Sequence, residues 1–121
     1  MDKIIKRYTP MTETSFYILY ALQSEMHGYG LMQYVKNLTG GEIILGAGTV
    51  YTSFAKMGKD GLIALARTDG KRKYYAATAL GKEVLDLEIR RIERLYRNIQ
   101  QKDEGIEKPQ ISKTQLPTIL L

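Results

Sequence analysis

Between Gly46 and Tyr75 the chain leaves itself few folds to choose from. It reads Gly46-Ala47-Gly48-Thr49-Val50-Tyr51-Thr52-Ser53-Phe54-Ala55-Lys56-Met57-Gly58-Lys59-Asp60-Gly61, followed by two short runs, Leu62 to Arg67 and Lys73 to Thr78. Helical spacing puts Val50, Phe54 and Met57 on one face and Thr52, Ser53, Lys56 and Lys59 on the other. Thr49 is the expected N-cap. Gly61 is the expected stop, because glycine takes the left-handed conformation that ends helices at little steric cost. Thr68-Asp69-Gly70-Lys71 joins the two runs, and Asp-Gly between such runs predicts a tight antiparallel hairpin. A helix that feeds straight into a two-stranded ribbon needs other helices to cover its apolar face.

The flanking sequence supplies them. Residues 1–8 read as a short, partly basic arm. Thr9-Pro10 suits an N-cap with proline at the first helical position, and Glu13 then faces the positive end of the helix dipole. Phe16, Leu19, Tyr20 and Leu22 carry that helix to about Ser24. Gly28 to Leu38 predicts a second helix, with Leu31, Val35 and Leu38 on one face and Tyr34 beside them, stopped by Thr39-Gly40-Gly41. Glu42-Ile43-Ile44-Leu45 reads as a short extended piece.

A last long helix is expected from about Ala79 to Gln101. On it Leu85, Ile89, Ile92, Tyr96 and Ile99 make a heptad seam, widened by Leu80, Val84, Leu87 and Leu95. One small domain cannot easily cover both stripes, so the surplus face predicts a second copy of the chain. After it, Pro109, Pro117 and mixed polar residues predict a flexible tail. The expected organisation is a helical and hairpin domain over 1–78, a dimerisation helix over 79–101 and a tail over 102–121. The fold class is α+β: a winged helix-turn-helix with a C-terminal dimerisation helix.

Charge is informative by its location. Of a net charge of +5, the segment Lys56 to Lys73 contributes +4, from Lys56, Lys59, Arg67, Lys71, Arg72 and Lys73 against Asp60 and Asp69. Lysines kept only for solubility would be spread more evenly. The chain has no cysteine, a single histidine (His27) and no apolar run long enough to span a bilayer, which predicts a cytoplasmic protein without a membrane partner. A metal site or catalytic triad built on His27 has no second histidine, thiol or carboxylate pair to complete it, so His27 reads as starting the second helix, by capping or by packing, with no metal, cofactor or enzymatic activity expected.

The arrangement suits double-stranded DNA. Gly48 and its neighbours allow close backbone approach to a phosphate; Thr49, Tyr51, Thr52 and Ser53 offer hydroxyls to phosphates or base edges, and Lys56 adds a cation one turn later. Lys71, Arg72 and Lys73 at the hairpin tip suit sequence-independent phosphate contact. A winged helix used only for protein docking or dimerisation is the alternative, and the local concentration of cations speaks against it.

His27-Gly28-Tyr29-Gly30, Gly48-Thr49-Val50-Tyr51, Gly61-Leu62-Ile63 and Arg72-Lys73-Tyr74-Tyr75, with Thr78 and Gly81, resemble in order and spacing the PadR family of bacterial transcriptional regulators. The resemblance covers roughly residues 12–100, and the short C-terminal region is similar to the small subgroup. It implies a DNA-binding repressor that dimerises through the C-terminal helix on an operator, in many members released by a small aromatic or planar effector. Two features depart from the pattern. Phe54 to Lys59 replaces a leucine- and glutamate-rich turn, and there is no tryptophan, on which some small members hold flat drugs.

Overall fold

The computed structural model describes residues 2–101, in the order α1 (Asp2–Tyr8), α2 (Glu13–Ala21), α3 (Gly28–Leu38), α4 (Ala47–Lys59), β1 (Ile63–Asp69), β2 (Arg72–Ala77) and α5 (Ala79–Gln101). The chain falls into two units, Met1–Arg91 and Ile92–Leu121. The tail expected over 102–121 lies outside the described residues.

In the first unit α2, α3 and α4 share one core. Ile18, Leu19 and Leu22 meet Leu31 and Val35 from α3 and Val50, Phe54 and Met57 from α4, with Leu62, Ile63, Val84 and Leu85 completing the cluster. Each such side chain contributes about 1.5–3 kcal/mol on full burial, so this contact set is what orders three short helices that would be marginal alone. Leu38, expected on the apolar face of α3, and Tyr34, expected beside it, remain 48% and 36% exposed.

The N-terminal segment differs from expectation. Residues 2–8 are not an arm: α1 places Ile4, Ile5 and Tyr8 on one face against the core. The Thr9 hydroxyl donates to the Ile5 carbonyl at 2.6 Å, so Thr9 closes α1 instead of opening α2. Thr12 is the cap of α2, its hydroxyl accepting from the Ser15 amide at 3.1 Å, and the Thr9–Pro10 peptide, which is cis, lies before the helix.

Thr49 is likewise not the cap of α4. The first helical hydrogen bond runs from the Val50 amide to the Gly46 carbonyl at 3.1 Å, which makes Gly46 the N-cap and leaves Thr49 inside the first turn. The far end matches the reading from sequence. Gly61 has φ +80°, its amide bonds to Gly58 and the Leu62 amide reaches the Met57 carbonyl at 2.9 Å, the Schellman pattern. Glu42 to Leu45 forms no strand; Leu45 tucks into the core while Ile44 is exposed.

β1 and β2 pair antiparallel from Ile63↔Ala77 to Asp69↔Arg72, so the turn is just Gly70-Lys71, tighter than the four-residue connection expected. The register shifts between Leu65 and Arg67, and past this irregularity Arg67 faces Tyr74. The base of the hairpin is fastened to the α2–α3 turn. Met26 and Tyr75 exchange both backbone hydrogen bonds, at 3.0 and 2.9 Å, and the Ala77 amide reaches the Leu22 carbonyl at 2.7 Å.

Thr78 then links two helices. Its hydroxyl donates to the Gly61 carbonyl at 2.6 Å and accepts from the Gly81 amide at 3.1 Å, so the end of α4 and the start of α5 share one side chain. Leu85, expected on the dimer seam, is 2% exposed and belongs to the core of its own unit, with Ile89 packed partly against it. The fully buried Glu88 carboxylate accepts from the Met11 amide and pairs with Arg91, so its charge is matched inside the fold. In the second unit the described residues, 92–101, are helical, and Ile92, Leu95, Tyr96 and Ile99 are 40–64% exposed. No helix among the described residues is long and apolar enough to cross a membrane.

Candidate nucleic-acid interface

The start of α3, the side of α4 and the tip of the β1–β2 hairpin enclose a cleft of about 520 Å³. His27, Gly28 and Tyr29 come from α3 and its cap, Tyr51, Phe54 and Ala55 from α4, and Lys71, Arg72, Lys73 and Tyr75 from the hairpin. Local sequence explains each wall. The His27 Nδ1 accepts from the Gly30 amide at 3.0 Å and so caps α3, one of the two roles expected for it. Phe54 holds the floor, its ring 4.9 Å from that of Tyr75 and 6.2 Å from that of Tyr51. The two-residue turn places three consecutive cations at the rim, all exposed.

Of the DNA-contacting residues expected from sequence, Tyr51, Lys71, Arg72 and Lys73 are brought together in this cleft. Gly48, Thr49, Thr52, Ser53 and Lys56 do not line it. They lie on α4, exposed except for the half-buried Ser53. The structure adds Tyr29, 60% exposed on the cleft wall, which no charge or periodicity argument had singled out. Its one sequence signal was its place within the His27-Gly28-Tyr29-Gly30 block.

Two polar assemblies set how charge is presented. At the C-terminal end of α4, Asp60 accepts from the Tyr8 hydroxyl at 2.7 Å and pairs with Arg7 at 3.2 Å, while the Lys56 ammonium lies 5.8 Å from the centre of the Tyr8 ring. Burial, and then the bond to Asp60, pushes the Tyr8 phenol well above its ordinary pKa, so it stays a donor. The short helix α1 thereby anchors the end of α4.

At the base of the hairpin, the Arg67 guanidinium pairs with Glu25 and sits 3.7 Å above the Tyr74 ring, whose other neighbour is the edge of His27 at 5.1 Å. The hydrogen bond to Glu25, more than any other contact, raises the pKa of the Arg67 guanidinium, which is cationic in any case. Arg67 counts among the six cations between Lys56 and Lys73 but is matched by a carboxylate, whereas Lys71, Arg72 and Lys73 rim the cleft. Such a surface offers hydroxyl and cationic donors to an acceptor-only partner. Among the described residues no group of three or more His, Asp or Glu side chains could hold a metal.

The model of the transcriptional regulator PadR-like family matches residues 18–87. No curated protein matches the sequence. Solved structures do. A transcriptional regulator from Clostridium thermocellum is 20% identical over 84% of this chain and 95% of its own, with a TM-score of 0.62. A PadR family transcription regulator from Clostridium difficile is 22% identical over 74% of this chain and 97% of its own, also with a TM-score of 0.62. Bacillus subtilis PadR, solved in complex with operator DNA, is 22% identical over 88% of this chain and 54% of its own, with a TM-score of 0.52. At these identities the likeness is one of fold.

Proposed function

The chain belongs to the PadR-like family of transcriptional regulators, and from that premise we propose that it is a repressor, working as a homodimer on a roughly palindromic operator. The observation that carries this reading is the joint placement of α4 and the wing. Tyr51 of α4 and the three wing cations line one cleft, and the exposed Thr49, Thr52 and Lys56 lie on the same helix, outside the cleft but within the same unit. In this reading α4 enters the major groove, where Thr49, Thr52 and Lys56 reach bases and near-base atoms, with Gly48 and Ser53 flanking them. Lys71, Arg72 and Lys73 grip the adjacent backbone.

Dimerisation is supported by the exposed apolar residues Ile92, Leu95, Tyr96 and Ile99, at helical spacing on α5. Repression follows most simply from occlusion by a small dimer. Release by a small aromatic or planar effector belongs to the same reading through family membership alone, and so does a cytoplasmic place of work beside the chromosome.

The test is a gel shift of the purified protein on the DNA upstream of its own gene, against bulk DNA, at rising salt. A preference for the upstream fragment, with affinity falling steeply as salt rises, is expected. Equal affinity for both DNAs, or none for either, would return the chain to the docking-module alternative.

A further inference from the structure

We propose that Tyr51 holds a backbone phosphate of the DNA, not a base edge, and that Gly28 is the positioning residue that seats it. The inference rests on the DNA-binding reading above and deepens it. Gly28 is buried at the first position of α3. A methyl group there would lie 2.8 Å from both Cζ and Oη of Tyr51 and 2.9 Å from its Cε1. The hydroxyl end of the Tyr51 ring thus rests directly on Gly28, the glycine of α3 that faces it; the helix's other glycine, Gly30, faces His27 instead.

That contact fixes the direction of the hydroxyl. Tyr51 leaves α4 toward α3, into the cleft, and its ring crosses the Phe54 ring edge-on at 84°. Thr49, Thr52 and Lys56, which are exposed and outside the cleft, remain the α4 residues placed for base edges. What the cleft presents is the chemistry of a phosphodiester site. It is lined by three tyrosines, Tyr29, Tyr51 and Tyr75, of which Tyr29 and Tyr51 are exposed, and by three cations, with no carboxylate among its walls. A base edge carries donors as well as acceptors, whereas phosphate oxygens only accept, which is what a wall of donors suits.

The experiment uses the duplex that the full-length protein selects from random sequence, together with an unrelated duplex of equal length. Tyr51→Phe keeps the ring and removes the donor. It is expected to weaken binding to both duplexes by the same factor, about tenfold for one hydrogen bond to a charged partner. Its salt slope should be unchanged, because a neutral hydroxyl releases no counterion. Gly28→Ala meets only the far end of a side chain, so the ring is expected to swing aside while the fold survives, as a thermal melt would report.

Gly28→Ala should then lose affinity to a similar extent. The double variant Gly28→Ala/Tyr51→Phe should lose no more than either alone, and in a Tyr51→Ala background Gly28→Ala should be silent. A Tyr51→Phe loss confined to the selected duplex would overturn the phosphate assignment. Additive losses, or a Gly28→Ala effect that persists without the Tyr51 ring, would overturn the role of Gly28. A wild-type protein that binds neither duplex would instead defeat the regulator reading itself.

Discussion

Gly81 and Gly58 sit on either side of the hairpin and have opposite reasons to lack a side chain. A methyl group on Gly81 would lie 2.0 Å from the Leu62 carbonyl oxygen and 3.0 Å from its carbon, so α5 passes the end of α4 at a distance only glycine allows. Gly58 is exposed on α4, and a methyl group there would meet nothing within 4 Å. Gly81→Ala is therefore expected to destabilise the fold by at least about 2 kcal/mol, since the obstacle is backbone. Gly58→Ala should stabilise it by up to about 1 kcal/mol, from helix propensity alone. Thermal melts of the two variants should move in opposite directions; a shared sign would refute one of these packing arguments. Sequence alone could not assign Gly81 this role, because periodicity does not record where two backbones cross. Caps were misread for a related reason. Thr9 and Thr49 both have the right side chain for an N-cap, but hydrogen bonds already made by Ile5 and Gly46 decide which residue opens each helix.

At the scale of elements, α4 and the wing were the most legible parts. The spacing of Val50, Phe54 and Met57 and the Asp69-Gly70 hairpin signal are local; the structure keeps the first and the hairpin, with the turn one residue later at Gly70-Lys71. Helix α1 was not legible, since its 7 residues hold together through partners distant in sequence: Asp60 takes both Arg7 and Tyr8. The meaning of the wing's charge also changed. Six cations between Lys56 and Lys73 looked equivalent, yet Arg67 is neutralised by Glu25 across the hairpin base. Replacing Lys71, Arg72 or Lys73 by alanine should lower the slope of log affinity against log salt by about 0.9 each and weaken binding evenly across sequences. Arg67→Ala should leave that slope unchanged, and an exposed ion pair contributes little to stability, so the fold should persist. If Arg67→Ala lowered the slope as far as Lys73→Ala does, the Glu25 pairing would not survive contact with DNA.

For the whole molecule, the decisive question is what the long C-terminal helix covers. Its heptad spacing suggested one continuous seam, but a heptad pattern cannot say which of its residues a chain's own core will claim. Leu85 is claimed entirely and Ile89 in part, leaving Ile92, Tyr96 and Ile99 exposed. The proposed dimer, built on these residues, would bring two copies of α4 and the wing to one duplex and so make the protein a reader of paired half-sites. Hydroxyl-radical footprinting of the wild type and of Ile92→Asp, with the sedimentation mass of each, tests this most directly. The wild type should sediment as two chains and protect two backbone patches related by a two-fold axis, ~10 bp or a multiple of it apart. Ile92→Asp should sediment as one chain and protect neither patch at the same concentration. A single protected patch from the wild type, or an unchanged pair of patches from a variant that sediments as one chain, would contradict it.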